Sequence, residues 1–219
     1  MDERYFEKLG RTEEGFSEVM YKGQRKKIFL IGDSICRGYR PFVKENFKDT
    51  YDVVYPEENC RNSQYIITSL FGWANAFEDT SDVELVSFNC GHWDISHWNG
   101  EEESLTNITE YANNIKRIIA HLRNFFPKAK ILFLTTTPMN PSYKKDSQNI
   151  RTNEEIIQYN EVALEVAKEQ GVFTEDLFTF MEKWDASNFI DYVHLTPNAA
   201  QRLGNHITDV ISKIIKGDE

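Results

Sequence analysis

Three side chains from two distant stretches of the sequence carry the chemistry of an activated nucleophile. Ser34 ends the stretch Ile28-Phe29-Leu30-Ile31-Gly32-Asp33-Ser34, in which four apolar residues give way abruptly to polar ones. A serine hydroxyl attacks an acyl carbon only if a neighbour takes its proton, and the usual neighbour is a histidine oriented by a carboxylate. Of the five histidines, His121 and His206 fall inside helical patterns, while His92 and His97 lie in the segment Gly91-His92-Trp93-Asp94-Ile95-Ser96-His97-Trp98. His194 differs: in Asp191-Tyr192-Val193-His194-Leu195-Thr196-Pro197 a carboxylate precedes the imidazole by three residues, in a loop kept short by the helix start that follows. A turn of that length can set the carboxylate beside the ring, fix its tautomer and stabilise the imidazolium formed when a proton arrives. A serine after a strand is also an ordinary helix cap. Chemistry therefore requires that the fold bring residue 34 to residues 191 and 194.

The elements that would do so are legible as hydrophobic patterns. Apolar runs too short for buried helices occur at 28–32, 52–55, 83–88 and 130–135, with a lesser one at 172–173. Ile108, Tyr111, Ile115, Ile118, Ile119, Leu122 and Phe126 recur at helical spacing and stop at Pro127. Thr152 and Glu155 predict a capping box for a helix whose inner face holds Ile156, Tyr159, Ala163 and Ala167. Thr196 and Pro197 predict the start of a last helix, as cap and first-turn residue. Strands alternating with helices imply right-handed βαβ units and a parallel sheet covered on both faces, hence a three-layer α/β class. In such sheets functional groups gather beyond the carboxyl ends of the strands. Ser34, Asn59-Cys60-Arg61, Asn89 to Asp94 and Thr135-Thr136-Thr137-Pro138 all fall there.

A Gly-Asp-Ser after the first strand combined with an Asp-x-x-His before the last helix is far more specific than either alone. On these two blocks the sequence resembles the SGNH hydrolase family, the GDSL-type esterases and lipases, over residues 27–214. The resemblance implies a flavodoxin-like three-layer α/β/α sandwich with a central parallel sheet of about five strands. It implies Ser34 as nucleophile, His194 as general base and then acid, and Asp191 as the residue orienting it. In the third block the family usually has Gly-x-Asn-Asp, whereas this chain reads Gly91-His92-Trp93-Asp94, with tryptophan in the asparagine place. It looks like a branch of the family with N-x-G-x-W-D here. Asn89 is then the replacement oxyanion donor, beside the Ser34 N–H. After the second strand the family's glycine is missing, and Asn59 or a backbone N–H of Cys60 or Arg61 is expected to serve, with an Asx turn the other reading of Asn59. Asp33 and Asp94 are expected to accept nearby backbone N–H groups, and Thr135 to Pro138 to wall the acyl or leaving-group side.

For the substrate, flat aromatic faces suit sugar rings, and Trp93 and Trp98 lie near the expected site, while Trp73 and Trp184 are expected to pack. Trp93, His92 and Arg151 are candidate substrate contacts; a solvated position is the other reading of Arg151. The resemblance favours hydrolysis of a short-chain acyl ester, acetyl foremost, on a carbohydrate or other small molecule. A catalytically inactive ligand- or partner-binding domain of the same fold is the alternative, and a lysophospholipase or thioesterase a lesser one. An α/β-hydrolase proper is disfavoured because its nucleophile elbow needs G-x-S-x-G.

Composition sets the outer limits. A chain of 219 residues with 40% hydrophobic content supports one continuous domain, with residues 1–26 as a lead-in to a core at 27–214. A formal charge of −10 argues against a nucleic-acid partner, and the basic Lys22 to Lys27 stretch reads as a solvated lead-in. No run reaches the length of a membrane span and residues 1–10 lack the features of a signal peptide, so the expectation is cytoplasmic. Cys36, Cys60 and Cys90 form no closely spaced pair. Reduced thiols, no metal and no cofactor are expected. The oligomeric state is not encoded legibly.

Overall fold

A computed structural model describes residues 20–140, 142 and 149–217 of the chain. Most of the lead-in, residues 1–19, lies outside the described residues.

Five strands make one parallel sheet: β1 (Lys27–Ile31), β2 (Asp52–Val54), β3 (Val83–Phe88), β5 (Lys130–Leu134) and β7 (Phe173–Glu175), in the order β2-β1-β3-β5-β7. Period-two alternation sorts the strand side chains between two cores. Phe29, Ile31, Val86, Phe88 and Phe133 face one layer; Ile28, Leu30, Leu85, Leu132 and Leu134 face the other. Because β1 and β5 are buried on both faces, they read as dense apolar runs. The two cores are closed by helices on opposite sides, giving three layers. Packed on the first are α2 (Ser63–Asn75), α3 (Ile108–Phe125) and α4 (Asn153–Glu169); packed on the second are α1 (Ser34–Phe47), the short α5 (Leu177–Met181) and α6 (Pro197–Lys216). The fold is the expected three-layer α/β/α sandwich.

The expected helices form as their signals dictate. In α3 the buried stripe is Tyr111, Ile115, Ile118, Ile119 and Leu122. Thr152 caps α4, accepting from Glu155 N at 3.2 Å and donating to Glu155 Oε2 at 3.0 Å. Thr196 caps α6 through Ala199 N, and Pro197 is its first residue. Helices α1 and α2 start at Asp33, which accepts from Ile35 N, and Asn62, which accepts from Tyr65 N, but α1 also contains residues that oppose a helix. Gly38 and Pro41 sit inside α1, and a proline there removes one intrahelical bond. Tertiary packing supplies the missing stability: α1 lies against α6, and a Cβ on Gly204 would come 2.9 Å from Phe42 Cβ and 3.0 Å from Tyr39 O. This close crossing matters for function, since α1 begins at Ser34 and α6 begins three residues after His194.

Two further features depart from the sequence reading. A short antiparallel ribbon pairs β4 (His97–Trp98) with β6 (Asn149–Ile150), two residues each and below the reach of any periodicity argument. Lys27 is not solvated but buried at the start of β1, its ammonium donating to Gly23 O at 3.1 Å. Cys36, Cys60 and Cys90 are free and buried. Burial pushes the Cys36 thiol up to about 12, so it is held protonated. No helix among the described residues is long and apolar enough to cross a membrane.

Candidate active site

Ser34, His194 and Asp191 meet at the carboxyl end of β1. Ser34 Oγ lies 2.8 Å from His194 Nε2, and His194 Nδ1 lies 2.7 Å from Asp191 Oδ2. The other carboxylate oxygen, Asp191 Oδ1, accepts the backbone N–H groups of Val193 at 2.9 Å and His194 at 2.8 Å. Burial works to raise the Asp191 pKa, but the two amides and the imidazole outweigh it and hold the carboxyl below its ordinary value. An ionised carboxylate can only accept, so Nδ1 carries the ring proton and Nε2 is left to accept from the serine. The loop is anchored from outside as well. Asn140 donates from Nδ2 to Asp191 O at 2.9 Å and from its backbone to Tyr192 O at 2.8 Å.

The serine is not the cap of α1. Asp33 is, accepting Ile35 N at 2.9 Å, and Ser34 is the first helical residue. An amide in that position has no carbonyl a turn back to receive it, and the helix dipole adds positive potential at the same point. Around it the chain is packed without slack. A Cβ on Gly32 would overlap Asn89 Oδ1 and lie 2.5 Å from Cys36 Cβ, so glycine is required at the strand-to-helix turn. Burial drives the Asp33 pKa up, against the lowering effects of the Ile35 amide, Asn89 and the Arg151 charge.

The expected oxyanion donors are placed unequally. Ser34 N–H is at the helix start. Asn89 is buried and gives its amide to Asp33 Oδ1 at 3.2 Å. Cys60 N–H is turned to Gly32 O at 3.1 Å, and the side chain of Asn59 accepts Arg61 N at 2.9 Å in an Asx turn. Arg61 takes the left-handed φ of 52° where the resemblance leads one to expect glycine. That explains the missing glycine: the turn is kept and a non-glycine residue occupies it, a conformation costing on the order of 1 kcal/mol.

Trp93 stands in the wall of a groove of about 510 Å³, with Trp98, Tyr65, Arg61, Gln64 and Leu105. The Trp93 and Trp98 rings are 5.6 Å apart and tilted by 44°, and the Arg61 guanidinium covers the Tyr65 ring at 4.9 Å. His92 lies under the site, its Nε2 3.1 Å from Thr137 Oγ1. Arg151 is buried, not solvated, with Nη2 donating to Asn149 Oδ1 at 2.9 Å. Burial within the sequence's loop region was invisible because it depends on the β4–β6 ribbon.

Asp94 fixes the other wall. It accepts from Ser63 Oγ at 2.6 Å and Ser63 N at 3.1 Å, tying the third-strand loop to the start of α2. Burial pushes its pKa up to about 6 despite these bonds. A carboxyl that holds its proton more tightly folded than unfolded contributes stability at low pH that is lost as pH rises through about 6. Wild-type unfolding free energy should therefore gain about 1 kcal/mol relative to Asp94→Asn between pH 7 and pH 5, measured by urea titration at both pH values. A pH-independent difference would show that Asp94 titrates normally.

Comparison with known proteins identifies the family and the fold. A model of the GDSL-like Lipase/Acylhydrolase family matches residues 30–202. The chain is 28% identical to the GDSL esterase/lipase CPRD49 of Arabidopsis thaliana over 212 residues, 86% of this chain and 80% of that protein. It is 27% identical to the human isoamyl acetate-hydrolyzing esterase 1 homolog over 207 residues, 85% of this chain and 82% of that one. Among solved structures, Est24, a carbohydrate acetylesterase from Sinorhizobium meliloti, superposes with a TM-score of 0.67 at 15% identity, covering 87% of this chain and all of its own.

Proposed function

Starting from a chain that belongs to the GDSL-like lipase/acylhydrolase family and is an ester-bond hydrolase, we propose that Ser34, His194 and Asp191 form its catalytic triad and that it removes a short acyl group, acetyl foremost, from a carbohydrate. The observation that carries the reading is the unbroken chain of short contacts from Ser34 Oγ through the imidazole to Asp191. His194 takes the serine proton as Oγ attacks the ester carbonyl, and Asp191 stabilises the resulting imidazolium. Collapse of the tetrahedral intermediate expels the alcohol, protonated by His194. Water then repeats the sequence on the acyl-enzyme with the same residue as base. The Ser34 amide at the positive end of α1 faces the developing oxyanion. Asn89 acts through Asp33, fixing the turn that presents the serine.

The alcohol is received by the groove of Trp93 and Trp98, whose flat faces and polar rim of Arg61, Asn62 and Gln64 suit a sugar ring. A neighbour of the same fold is named a carbohydrate acetylesterase, which supports the same choice. The test is a rate profile of the purified protein on p-nitrophenyl esters of increasing acyl length and on acetylated monosaccharides. The expected order is acetate above butyrate above octanoate, with release of acetate from at least one sugar. A preference for long chains would move the reading to a lipase or lysophospholipase. Turnover of none of them would favour a binding domain built on the same scaffold.

A further inference from the structure

The turn that carries the base is braced from outside more than it is buried. The side chains of His194 and Asp191 are 35% and 39% exposed, so burial alone does little to fix the imidazole against Ser34. The turn closes on itself through Ile190 N to His194 O at 2.8 Å and Thr196 N to Asn188 O at 2.9 Å. Asn140 holds its backbone at Asp191 and Tyr192. The Tyr192 side chain is met from another element: Arg151 Cζ lies 5.3 Å from its ring centroid. The same ring stands edge-on to the His194 imidazole, 6.2 Å away between centroids.

The guanidinium is itself fixed. Arg151 directly follows β6 and is 7% exposed. Its Nη2 donates to Asn149 Oδ1 at 2.9 Å and to Ser96 Oγ at 3.4 Å, one group from each side of the β4–β6 ribbon. Ser96 Oγ also donates to Asn149 Oδ1, which closes the ribbon beneath the arginine. A buried arginine is costly, and this one forms no ion pair among the described residues. An apolar side chain could fill the same space. It could not pin a ribbon with N–H donors and meet an aromatic ring as a cation. The charge reaches the nucleophile's side too: it lowers the Asp33 pKa against burial, Asp33 favours the cation in return, and Asp33 caps the helix that begins at Ser34.

We propose that Arg151 is a positioning residue for the hydrolytic reaction, carrying the fixed geometry of the β4–β6 ribbon through Tyr192 to the Asp191–His194 turn so that His194 Nε2 stays aligned with Ser34 Oγ. This rests on the triad reading above. Arg151 acts through Tyr192 and not on the reacting atoms. A base displaced by about 1 Å can cost on the order of a hundredfold in rate. That cost appears in kcat and not in KM, because alignment of the imidazole is felt only when the proton moves.

The test is steady-state turnover of p-nitrophenyl acetate by Arg151→Met, Arg151→Lys, Tyr192→Leu and the double variant Arg151→Met with Tyr192→Leu, with active sites counted by fluorophosphonate labelling of Ser34. Arg151→Met should lose about tenfold to a hundredfold in kcat per labelled site, with KM within about twofold of wild type. Arg151→Lys keeps the charge without the planar fork and should lie between the two. An arginine that only supported the fold would behave differently: its loss would reduce the number of labelled sites and leave kcat per site unchanged. Tyr192→Leu should show a loss in kcat similar to that of Arg151→Met. The double variant should cost no more than the larger single loss, since both changes break one link. Tyr192→Leu cuts that link from its other end, so the test stands even if Arg151→Met fails to fold. Wild-type kcat per site in either single variant, a loss that falls on KM, or losses that multiply in the double variant would overturn the positioning role. Failure of the triad reading has a separate signature: wild type that is not labelled at Ser34, or turnover indifferent to Ser34→Ala.

Discussion

Ser34→Ala should lower kcat on p-nitrophenyl acetate by about 10⁴- to 10⁶-fold while leaving the fold intact. The size of the loss follows from the mechanism. Without Oγ there is no acyl-enzyme, and His194 and Asp191 have no bound nucleophile to activate, so the three residues fail as a unit. The fold is spared because, among the described residues, Oγ is held by His194 Nε2 alone, and alanine is a good residue in the first turn of α1. Circular dichroism and the urea midpoint should therefore match wild type within about 0.5 kcal/mol. A fluorophosphonate probe should label wild type on the peptide that contains Ser34 and leave the variant unlabelled. Residual activity above one tenth of wild type would remove the serine from the mechanism. It would also remove the proposed role of the groove, since the acyl carbon would then be attacked from elsewhere.

What could be read from the sequence divides along a physical line. The strands were legible because a strand buried on both faces is a dense apolar run, as in Lys27 to Ile31 and Val83 to Phe88. The helices α3, α4 and α6 were legible because a single buried stripe or a cap marks each one. Helix α1 was harder to read: Asp33 caps it, but Gly38 and Pro41 argue against helix locally, and α6 packs on it through Gly204. Pairwise packing of that kind leaves no mark within one segment. The same helix contact sets the distance between Ser34 and the His194 loop. The element hardest to see was therefore one that positions the site.

The site itself divides in the same way. Asp191 and His194 are joined by a local turn, and local turns can be inferred from spacing; the structure puts both on it. The bonds made by the candidate donors after β2 and β3 could not be inferred, because they run to distant residues. Cys60 N–H goes to Gly32 O, and the Asn89 amide goes to Asp33. Residue type alone cannot reveal that commitment. Arg151 shows the converse. Its burial comes from a two-residue ribbon and from Tyr192, forty-one positions away by numbering. Only the three-dimensional arrangement reveals a cation buried beside the loop that carries His194.

Asp191→Asn should reduce kcat by about 10⁴-fold, nearly as much as loss of the serine, although it changes the side chain by a single polar group. The amide oxygen of asparagine can still accept the Val193 and His194 backbone N–H groups that Asp191 Oδ1 accepts now. The turn is then preserved and the amide NH₂ faces His194 Nδ1. A donor in that position forces Nδ1 to become an acceptor, which moves the ring proton to Nε2. The imidazole then presents an N–H to Ser34 Oγ where it must present a lone pair, and it cannot take the serine proton. Asp191→Ala provides the contrast. It removes the orienting group without imposing the wrong tautomer, so it should retain more activity than Asp191→Asn at equal folding. The pH dependence separates the two causes further. Because the wild-type carboxyl is held below its ordinary value, it remains ionised throughout the neutral and mildly acidic range, and the acid limb of kcat/KM in wild type is not set by Asp191. Activity of Asp191→Asn within tenfold of wild type, or above that of Asp191→Ala, would mean that the carboxylate only braces the loop and does not set the tautomer of the base.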